Sequence, residues 1–137
     1  MARPQYAPAL FVALTLLIAV ACSSDDITPS EPDRERVLAP IESVEVIVAE
    51  SFPPQYFVQI TSGLPNGCAT FEEVTTERDG EAVRIAVWNS VPASDEAIAC
   101  TTIYGFVEHN VALGSDFSSQ QRYTVEVNGV TESFVAQ

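Results

Sequence analysis

The stretch YTVEVNGVTESFVA, residues 123–136, decides the fold of this chain. Apolar and polar residues alternate over residues 123–127, and a second β-rich run covers residues 130–136. Alternation of this kind places every second side chain on one face of a strand. Between the runs stands Asn128-Gly129, the strongest short-range signal of a β-hairpin, because both residues accept the left-handed backbone of a type I′ turn. The sequence therefore predicts two antiparallel strands joined by a tight turn.

Five further β-rich runs lie upstream of this hairpin and are separated by turn residues. They cover residues 41–50, 56–61, 68–77, 82–89 and 100–113. An Asp-Gly pair joins the third run to the fourth, and alternation in the fourth run directs Val83, Ile85 and Val87 toward the core. None of the runs has a sustained helical period. The seven strands predict an all-β domain over residues 41–137, folded as a two-sheet Greek-key sandwich.

The run over residues 100–113 has apolar side chains on both faces. One face carries Cys100, Thr102, Tyr104 and Phe106, and the other carries Val107, His109, Val111 and Leu113. We expect a bulge or bend near Gly105 that turns both sets toward the core. His109, the only histidine, is then a buried or half-buried core residue, with a pH-sensitive or ligand-contact role as the alternative. Trp88, the only tryptophan, is expected at the edge of the core or as a stacking platform for a ligand.

The apolar stretch LFVALTLLIAVAC, residues 10–22, follows a short segment with one positive charge, Arg3. This pattern is typical of a secretory signal peptide. A transmembrane anchor is the alternative, but a spanning helix needs about 20 apolar residues. The sequence therefore predicts a helical signal peptide over residues 1–21. The final IAVAC resembles the lipobox of bacterial lipoproteins, in which the leader is cleaved before a cysteine whose thiol carries lipid.

The lipoprotein resemblance implies that Cys22 becomes the lipidated first residue of the mature protein. At about 0.8 kcal/mol per buried methylene, two or three acyl chains hold a protein stably at a membrane. Residues 22–40 contain three prolines and two acidic clusters, and we expect a flexible, disordered acidic linker there. The protein is thus expected in the cell envelope, anchored by lipid to the outer membrane or to the outer leaflet of the plasma membrane. An ordinary cleaved signal is the alternative.

The charge of the chain limits its partners. Six basic residues, all arginine, stand against 19 acidic residues, and the net charge is −13. Such a surface repels the phosphates of nucleic acids, so we expect no nucleic-acid partner. It also repels anionic lipids, so the membrane contact must come from the lipid on Cys22. The acidic excess is expected to be a solubilising surface, with an acidic recognition face as the alternative.

Cys68 and Cys100 remain once the lipoprotein resemblance assigns Cys22 to lipid. Because export places them in an oxidising compartment, the pair predicts one disulfide, with a reactive thiol partnered by His109 as the alternative. The order Cys68, Trp88, Cys100 resembles that of immunoglobulin-like domains, which implies a seven-stranded sandwich with loops clustered at its two ends. The stretches SGLPNGC, IACT and YTVEVNG are also similar to small bacterial secreted proteins, and that likeness implies no activity.

Two loops are candidate contact surfaces, because sandwich loops often carry recognition. The first covers residues 63–67, with Leu64, Pro65 and Asn66 at its tip, and the second covers residues 90–97, with Asp95 and Glu96. The first tip could act as a wedge into a partner, although proline and glycine equally suit a plain turn. Asp95 and Glu96, or Asp116 in its own turn, could join carbonyl oxygens around calcium, with a solvated loop as the alternative.

No arrangement of residues predicts a catalytic site. Ser115 lacks the Gly-x-Ser-x-Gly context of a hydrolase nucleophile. The adjacent Glu72 and Glu73 are expected on opposite faces of a strand, so they cannot cooperate as the two acids of a glycosidase. Two disulfide cysteines and one histidine are too few ligands for zinc. We therefore expect a non-enzymatic protein without a cofactor or a metal.

The preferred hypothesis is a lipid-anchored, monomeric module that binds a protein partner in the cell envelope or supports the envelope structurally. A secreted protease inhibitor of immunoglobulin-like type is the alternative, because such domains can present a rigid loop to a protease cleft. A hydrolase is the third hypothesis, and it requires a pocket that gathers His109 with a carboxylate and a hydroxyl.

Overall fold

Strands alone make up the regular structure of residues 31–137, which are the residues that this computed structural model describes. The eight strands are β1 (Arg34–Leu38), β2 (Ile41–Ala49), β3 (Gln55–Leu64), β4 (Thr70–Asp79), β5 (Ala82–Pro92), β6 (Gly105–Gly114), β7 (Arg122–Val127) and β8 (Val130–Val135). In this range the chain has no helix with the length and hydropathy needed to cross a membrane. The predicted signal peptide, the lipid on Cys22 and the first part of the linker lie outside the described residues.

The strands form two sheets that enclose one core. Sheet A contains β1, β4, β5, β7 and β8, and sheet B contains β2, β3 and β6, with β3 in the middle. The prediction of an all-β, two-sheet sandwich is confirmed. The seven predicted strands correspond to β2 through β8, and one further strand, β1, precedes them.

The hairpin predicted from residues 123–136 is present. β7 and β8 pair antiparallel from Arg122 opposite Val135 to Val127 opposite Val130. Asn128 and Gly129 both have positive φ, 44° and 91°. Positive φ at both central residues is what a type I′ turn requires, and its twist matches that of the flanking strands.

Strand β5 is the centre of sheet A. β4 pairs antiparallel with it along one edge, from Ala82 to Ser90. The other edge is shared, because residues 82–85 pair in parallel with β7 and residues 88–92 pair antiparallel with β1. Since β4 occupies one edge along both segments, β1 and β7 lie end to end on the opposite edge. The parallel pair arises because the chain leaves sheet A after β5, forms β6 in sheet B and returns as β7.

Strand β1 lies inside the range predicted as linker, residues 22–40, so the folded domain begins before Ile41. Its sequence RERVL has no apolar alternation, and four of its five residues are exposed. Backbone pairing with β5 holds it, together with the Arg34 guanidinium, which donates to the Ser90 carbonyl at 2.7 Å and to the Cys68 carbonyl at 3.0 Å. Pairing with a distant strand thus orders a segment whose own composition is that of a linker.

The core lies between the inner faces of the two sheets. Its fully buried side chains come from β3, β5 and β7: Val58, Ile60, Val83, Ile85, Val87, Val125 and Val127. The prediction that three residues of β5 face the core is confirmed. Each such side chain stabilises the fold by about 1.5–3 kcal/mol through its removal from water. A second, aromatic cluster joins the buried Tyr56 and Tyr123 to the partly buried Phe117 and Phe134.

The structure differs from the sequence prediction at the beginning of β6. The strand starts at Gly105, and residues 100–104 have no regular secondary structure. His109 is half-buried on the inner face, as expected, but Tyr104 and Phe106 are exposed. The expectation that a bend turns both apolar sets into the core is therefore wrong. Because β6 pairs with β3 without a register shift from Gly105 to Val111, its alternation is continuous and only one set can face inward.

Candidate binding surface

The two connections that contain the loops singled out in the sequence are joined at one end of the sandwich. A disulfide joins Cys68, in the β3–β4 loop, to Cys100, in the β5–β6 connection, and their Cα atoms are 5.4 Å apart. The amide of Gly67 also donates to the carbonyl of Thr101 at 3.0 Å. The predicted disulfide is confirmed. We name this part of the molecule, residues 64–69 together with 93–106, the loop end.

Asn66 shapes the first loop from within. Its Oδ1 accepts hydrogen bonds from the amides of Cys68, at 2.9 Å, and Ala69, at 3.1 Å. An asparagine that binds the backbone a few residues ahead fixes a tight turn. Leu64 ends β3 and is half-buried, whereas Pro65 is exposed. Of the three predicted tip residues, only Pro65 presents an exposed side chain to a partner.

Asp95 and Glu96 lie in a turn of the second loop. The amide of Glu96 donates to the carbonyl of Ala93 at 2.9 Å, and the amide of Ile98 donates to the carbonyl of Glu96 at 3.0 Å. Asp95 is exposed and Glu96 is half-buried. Among residues 31–137, no three or more acidic, histidine or cysteine side chains form a group that could hold a metal ion. Asp95 and Glu96 therefore lie on the loop end as two adjacent acidic side chains.

The segment that follows the disulfide packs closely against β3 because two glycines leave room for it. A Cβ on Gly63 would lie 1.9 Å from the hydroxyl oxygen of Tyr104, and a Cβ on Gly67 would lie 2.1 Å from Thr101 Oγ1. Only residues without a Cβ allow such an approach. The Tyr104 hydroxyl donates to the carboxylate of Glu42 on β2. This hydrogen bond raises the pKa of the Tyr104 phenol above its ordinary value.

Large apolar side chains are exposed at the loop end. Ile103 is 71% exposed and Phe106 is 65% exposed, and Ile98 and Tyr104 are also exposed. The rings of Tyr104 and Phe106 meet edge to face with 5.3 Å between their centroids. Exposed apolar side chains that cluster in this way mark interaction sites. The sequence analysis did not identify Ile103 and Phe106 as contact residues. The signal that could have identified them is the run over residues 100–113, whose two apolar faces cannot both face the core.

His109 belongs to a polar pair inside the sandwich. Its Nε2 lies 2.8 Å from Oγ of Ser62, and its ring centroid lies 4.7 Å from that of Phe71. Burial lowers the pKa of the imidazole. Ser62 is fully buried, and within residues 31–137 no carboxylate is hydrogen-bonded to His109. The pair thus lacks two features of a serine-hydrolase site, an accessible nucleophile and an acid that orients the histidine.

Trp88 is half-buried on the outer face of sheet A. The guanidinium carbon of Arg36 lies 4.3 Å from the centroid of the Trp88 ring. A side chain of β1 therefore covers one face of this ring, which was expected to border the core or to stack on a ligand. Arg36 also forms ion pairs with both Glu72 and Glu73. The expectation that these two carboxylates point apart is wrong, because the β4–β5 register shifts between Phe71 and Glu73.

These features define a small disulfide-bonded β-sandwich domain with an exposed apolar loop end. The ORF11 β-sandwich domain family matches residues 58–136, and the chain belongs to this family. A relative from Herpetosiphon aurantiacus, the uncharacterized 10.2 kDa protein in HgiCIIM 5′ region, is 32% identical over 96 residues. The alignment covers 68% of this chain and 95% of that protein. No solved structure gives a significant match.

Proposed function

We propose that this chain is a lipid-anchored, non-enzymatic binding module of the bacterial cell envelope, and that its loop end binds a protein partner. One observation carries the binding role: Ile103 and Phe106 are exposed on a segment that the Cys68–Cys100 disulfide holds in place. Because this segment is fixed before a partner arrives, binding loses little conformational entropy. Apolar anchors on a rigid support are typical of the centre of protein interfaces.

The anchoring role is supported by the sequence. The apolar stretch 10–22 ends in the lipobox-like IAVAC, which makes Cys22 the lipid-bearing residue of the proposal. About 12 residues separate Cys22 from the start of β1, and covalent geometry limits their extended reach to about 40 Å. Anionic lipid head groups repel the acidic surface. The tether, and not a contact between the domain and the lipids, would therefore hold the domain near the membrane.

Membrane fractionation tests the anchor. The wild-type chain should sediment with membranes and enter the detergent phase on phase separation, whereas Cys22→Ala should leave the protein soluble in the exported fraction. Cys68→Ala together with Cys100→Ala is the control, because it removes the two disulfide cysteines without touching the proposed lipid site, and it should still sediment with membranes. Equal partitioning of the wild type and Cys22→Ala would contradict the anchor.

Site-specific photocrosslinking in producing cells tests the loop end. A photoreactive amino acid at position 103 should give a discrete crosslinked product, and Phe106→Ser should weaken that product. Position 52 is the matched control: Phe52 is 101% exposed and precedes β3, so it lies at the other end of the strand that leads into the loop end. Products of equal intensity from both positions, or none from position 103, would overturn the loop end as the binding surface.

A secreted protease inhibitor is the second candidate, and a specific observation favours it. Residues 101–104 are an exposed, non-regular segment that the disulfide tethers at the preceding Cys100 and the amide of Gly67 tethers at Thr101. A segment fixed in this way can enter a protease cleft without being ordered first. Ile103 is its most exposed large apolar side chain and would occupy an apolar specificity pocket.

Titration of serine proteases with apolar specificity pockets tests the inhibitor. The full chain should inhibit at one-to-one stoichiometry and remain uncleaved, and Ile103→Asp should abolish inhibition because a carboxylate is costly to bury in an apolar pocket. Cleavage after Ile103 without inhibition would make the segment a substrate and dismiss this candidate. Phe52→Asp is the control for a general effect of an added charge.

A further inference from the structure

The outer face of sheet B carries its side chains in rows that cross all three strands. The strand registers define two central rows, Ser43–Thr61–Glu108 and Glu45–Gln59–Asn110. We name these six polar residues the sheet B strip. They line a shallow depression with a cavity volume of about 660 Å³. The strip lies on the outer face of sheet B and borders the loop end at Tyr104 and Phe106, but its six polar residues are not part of the proposed protein site.

The side chains of the sheet B strip have no hydrogen-bond partner among residues 31–137. Paired polar side chains occur on sheet A where β1 lies against β5. There Arg34 donates to Ser90 and Thr70, and Arg36 pairs with two glutamates. The strip therefore offers a set of donors and acceptors that the fold does not use for its own stability.

The charge of the strip disfavours anionic ligands. The five arginines of the described residues all lie on strands of sheet A, and sheet B contains none. The strip itself carries the carboxylates of Glu45 and Glu108. Its other four side chains are amides and hydroxyls, which both donate and accept hydrogen bonds. A ligand rich in hydroxyl groups, each also a donor and an acceptor, matches this composition, whereas a phosphate or a uronic acid would be repelled.

Apolar rings border the strip at both ends. Tyr104 and Phe106 stand at one end, beside Gly63. At the other end Phe57 stands opposite Ala112 in the next outward row. From Phe106 to Ala112 along β6 is six residues, or about 20 Å at the rise of a strand. Aromatic faces at this separation suit the apolar ring faces of sugars at the two ends of a short saccharide chain.

We propose that the sheet B strip binds an uncharged oligosaccharide segment of a polysaccharide. Gln59 and Asn110 stand side by side at its centre and hold the sugar hydroxyls through their amides. Glu45 and Glu108 accept from further hydroxyls, and the bordering rings stack on the terminal sugars. Hydrogen bonds supply the orientation and the aromatic rings supply the apolar contact, as in other concave ligand sites.

Affinity electrophoresis tests this proposal. The full chain, purified in a non-ionic detergent, is run in native gels that contain dextran, xylan, galactomannan or glycol chitin. We expect retardation by at least one of these polysaccharides, and an affinity about tenfold lower for the double variant Gln59→Ala with Asn110→Ala, which loses two or more hydrogen bonds. Retardation should persist at about 0.5 M NaCl, where charge interactions between exposed groups are screened.

Two controls accompany the double variant. Gln121→Ala also removes a glutamine amide, but one that donates to Glu81 at 2.7 Å away from the strip, and it should bind as the wild type does. Ile103→Ser alters the proposed protein site and should leave retardation unchanged, so the two proposals can fail separately. Unfolding midpoints check that each variant is folded.

Three outcomes would overturn the proposal: no retardation by any of the four polysaccharides, equal retardation of the wild type and the double variant, or salt-sensitive binding to an oligolysine peptide alone. The last result would assign the strip to a cationic protein segment, attracted by Glu45 and Glu108, instead of a sugar.

Discussion

The side-chain amide of Asn128 pairs with both backbone polar groups of Val87. Its Nδ2 donates to the Val87 carbonyl at 2.9 Å, and its Oδ1 accepts from the Val87 amide at 3.1 Å. The same Nδ2 donates to the carbonyl of Ala39 at 2.8 Å. Val87 stands on the edge of β5 between the segment that pairs with β7 and the segment that pairs with β1. The Asn128 side chain thus fills the gap between two strands that lie end to end.

Asn128→Gly is expected to lower the free energy of unfolding by about 1–3 kcal/mol, because it leaves the amide of Val87 and the carbonyl of Ala39 without their side-chain partner. The Val87 carbonyl still accepts from the Ala39 amide at 2.9 Å. Glycine accepts the positive φ of this position, so the turn itself is preserved. Urea denaturation measures the loss, and the slope with denaturant should not change. Asn128→Asp should cost at least as much, since a carboxylate cannot donate to the carbonyls of Ala39 and Val87. A glycine variant as stable as the wild type would contradict the bridging role.

Reduction of the Cys68–Cys100 disulfide is expected to destabilise the domain by roughly 3–4 kcal/mol, because it releases a loop that closes across a sequence separation of 32. Urea unfolding with and without a reductant measures this change. Hydrogen exchange should accelerate first at the amide of Gly67, which donates to Thr101 beside the disulfide. Unchanged exchange at Gly67 in the reduced protein would show that the hydrogen bond, and not the disulfide, holds the loop end.

Glu42→Gln is expected to lower the pKa of Tyr104 toward its ordinary value of 10.0, because the carboxylate both accepts the phenol hydrogen and opposes formation of the tyrosinate. Difference ultraviolet titration of the variant against the wild type isolates this one tyrosine. Glu45→Gln, an exposed carboxylate on the same strand that does not bind Tyr104, is the matched control and should give no difference. Identical titration curves for the wild type and Glu42→Gln would refute the contact.

His109 is expected to titrate below its ordinary pKa of 6.5, because burial disfavours the imidazolium. The unfolded chain then takes up a proton first as the pH falls. The contribution of the neutral imidazole to stability is complete above pH 6.5 and declines as the pH falls from there through the folded pKa. The single histidine gives one ring resonance to follow by NMR. His109→Gln should remove this component of the pH dependence, and an NMR midpoint above 6.5 would contradict the burial.

The loop end shows how far local patterns predict a site. The disulfide followed from the cysteines, and the general placement of sandwich loops indicated both loops as candidate contact surfaces. The residues that form the exposed apolar surface were not predicted from the sequence. Asn66, a predicted contact residue, stabilises its own turn instead, and Ile103 and Phe106 carry the exposed apolar surface. The exposure of Phe106 depends on the continuous pairing of β6 with β3, and Ile103 lies in the non-regular segment just before that strand; no residue of the 100–113 run reveals either fact by itself.

The sequence by itself determined which side chains share a face and where the chain turns, because both are consequences of short-range backbone geometry. Val83 and its alternate neighbours are in the core, and Asn128-Gly129 is a type I′ turn, for that reason. Only the tertiary structure decided that Arg34–Leu38 is a strand, that Asn128 also bridges β5, and that polar residues of β2, β3 and β6 form one strip. Those properties depend on which distant strand supplies the partner, and hydrogen bonds between strands leave no period in the sequence of either one.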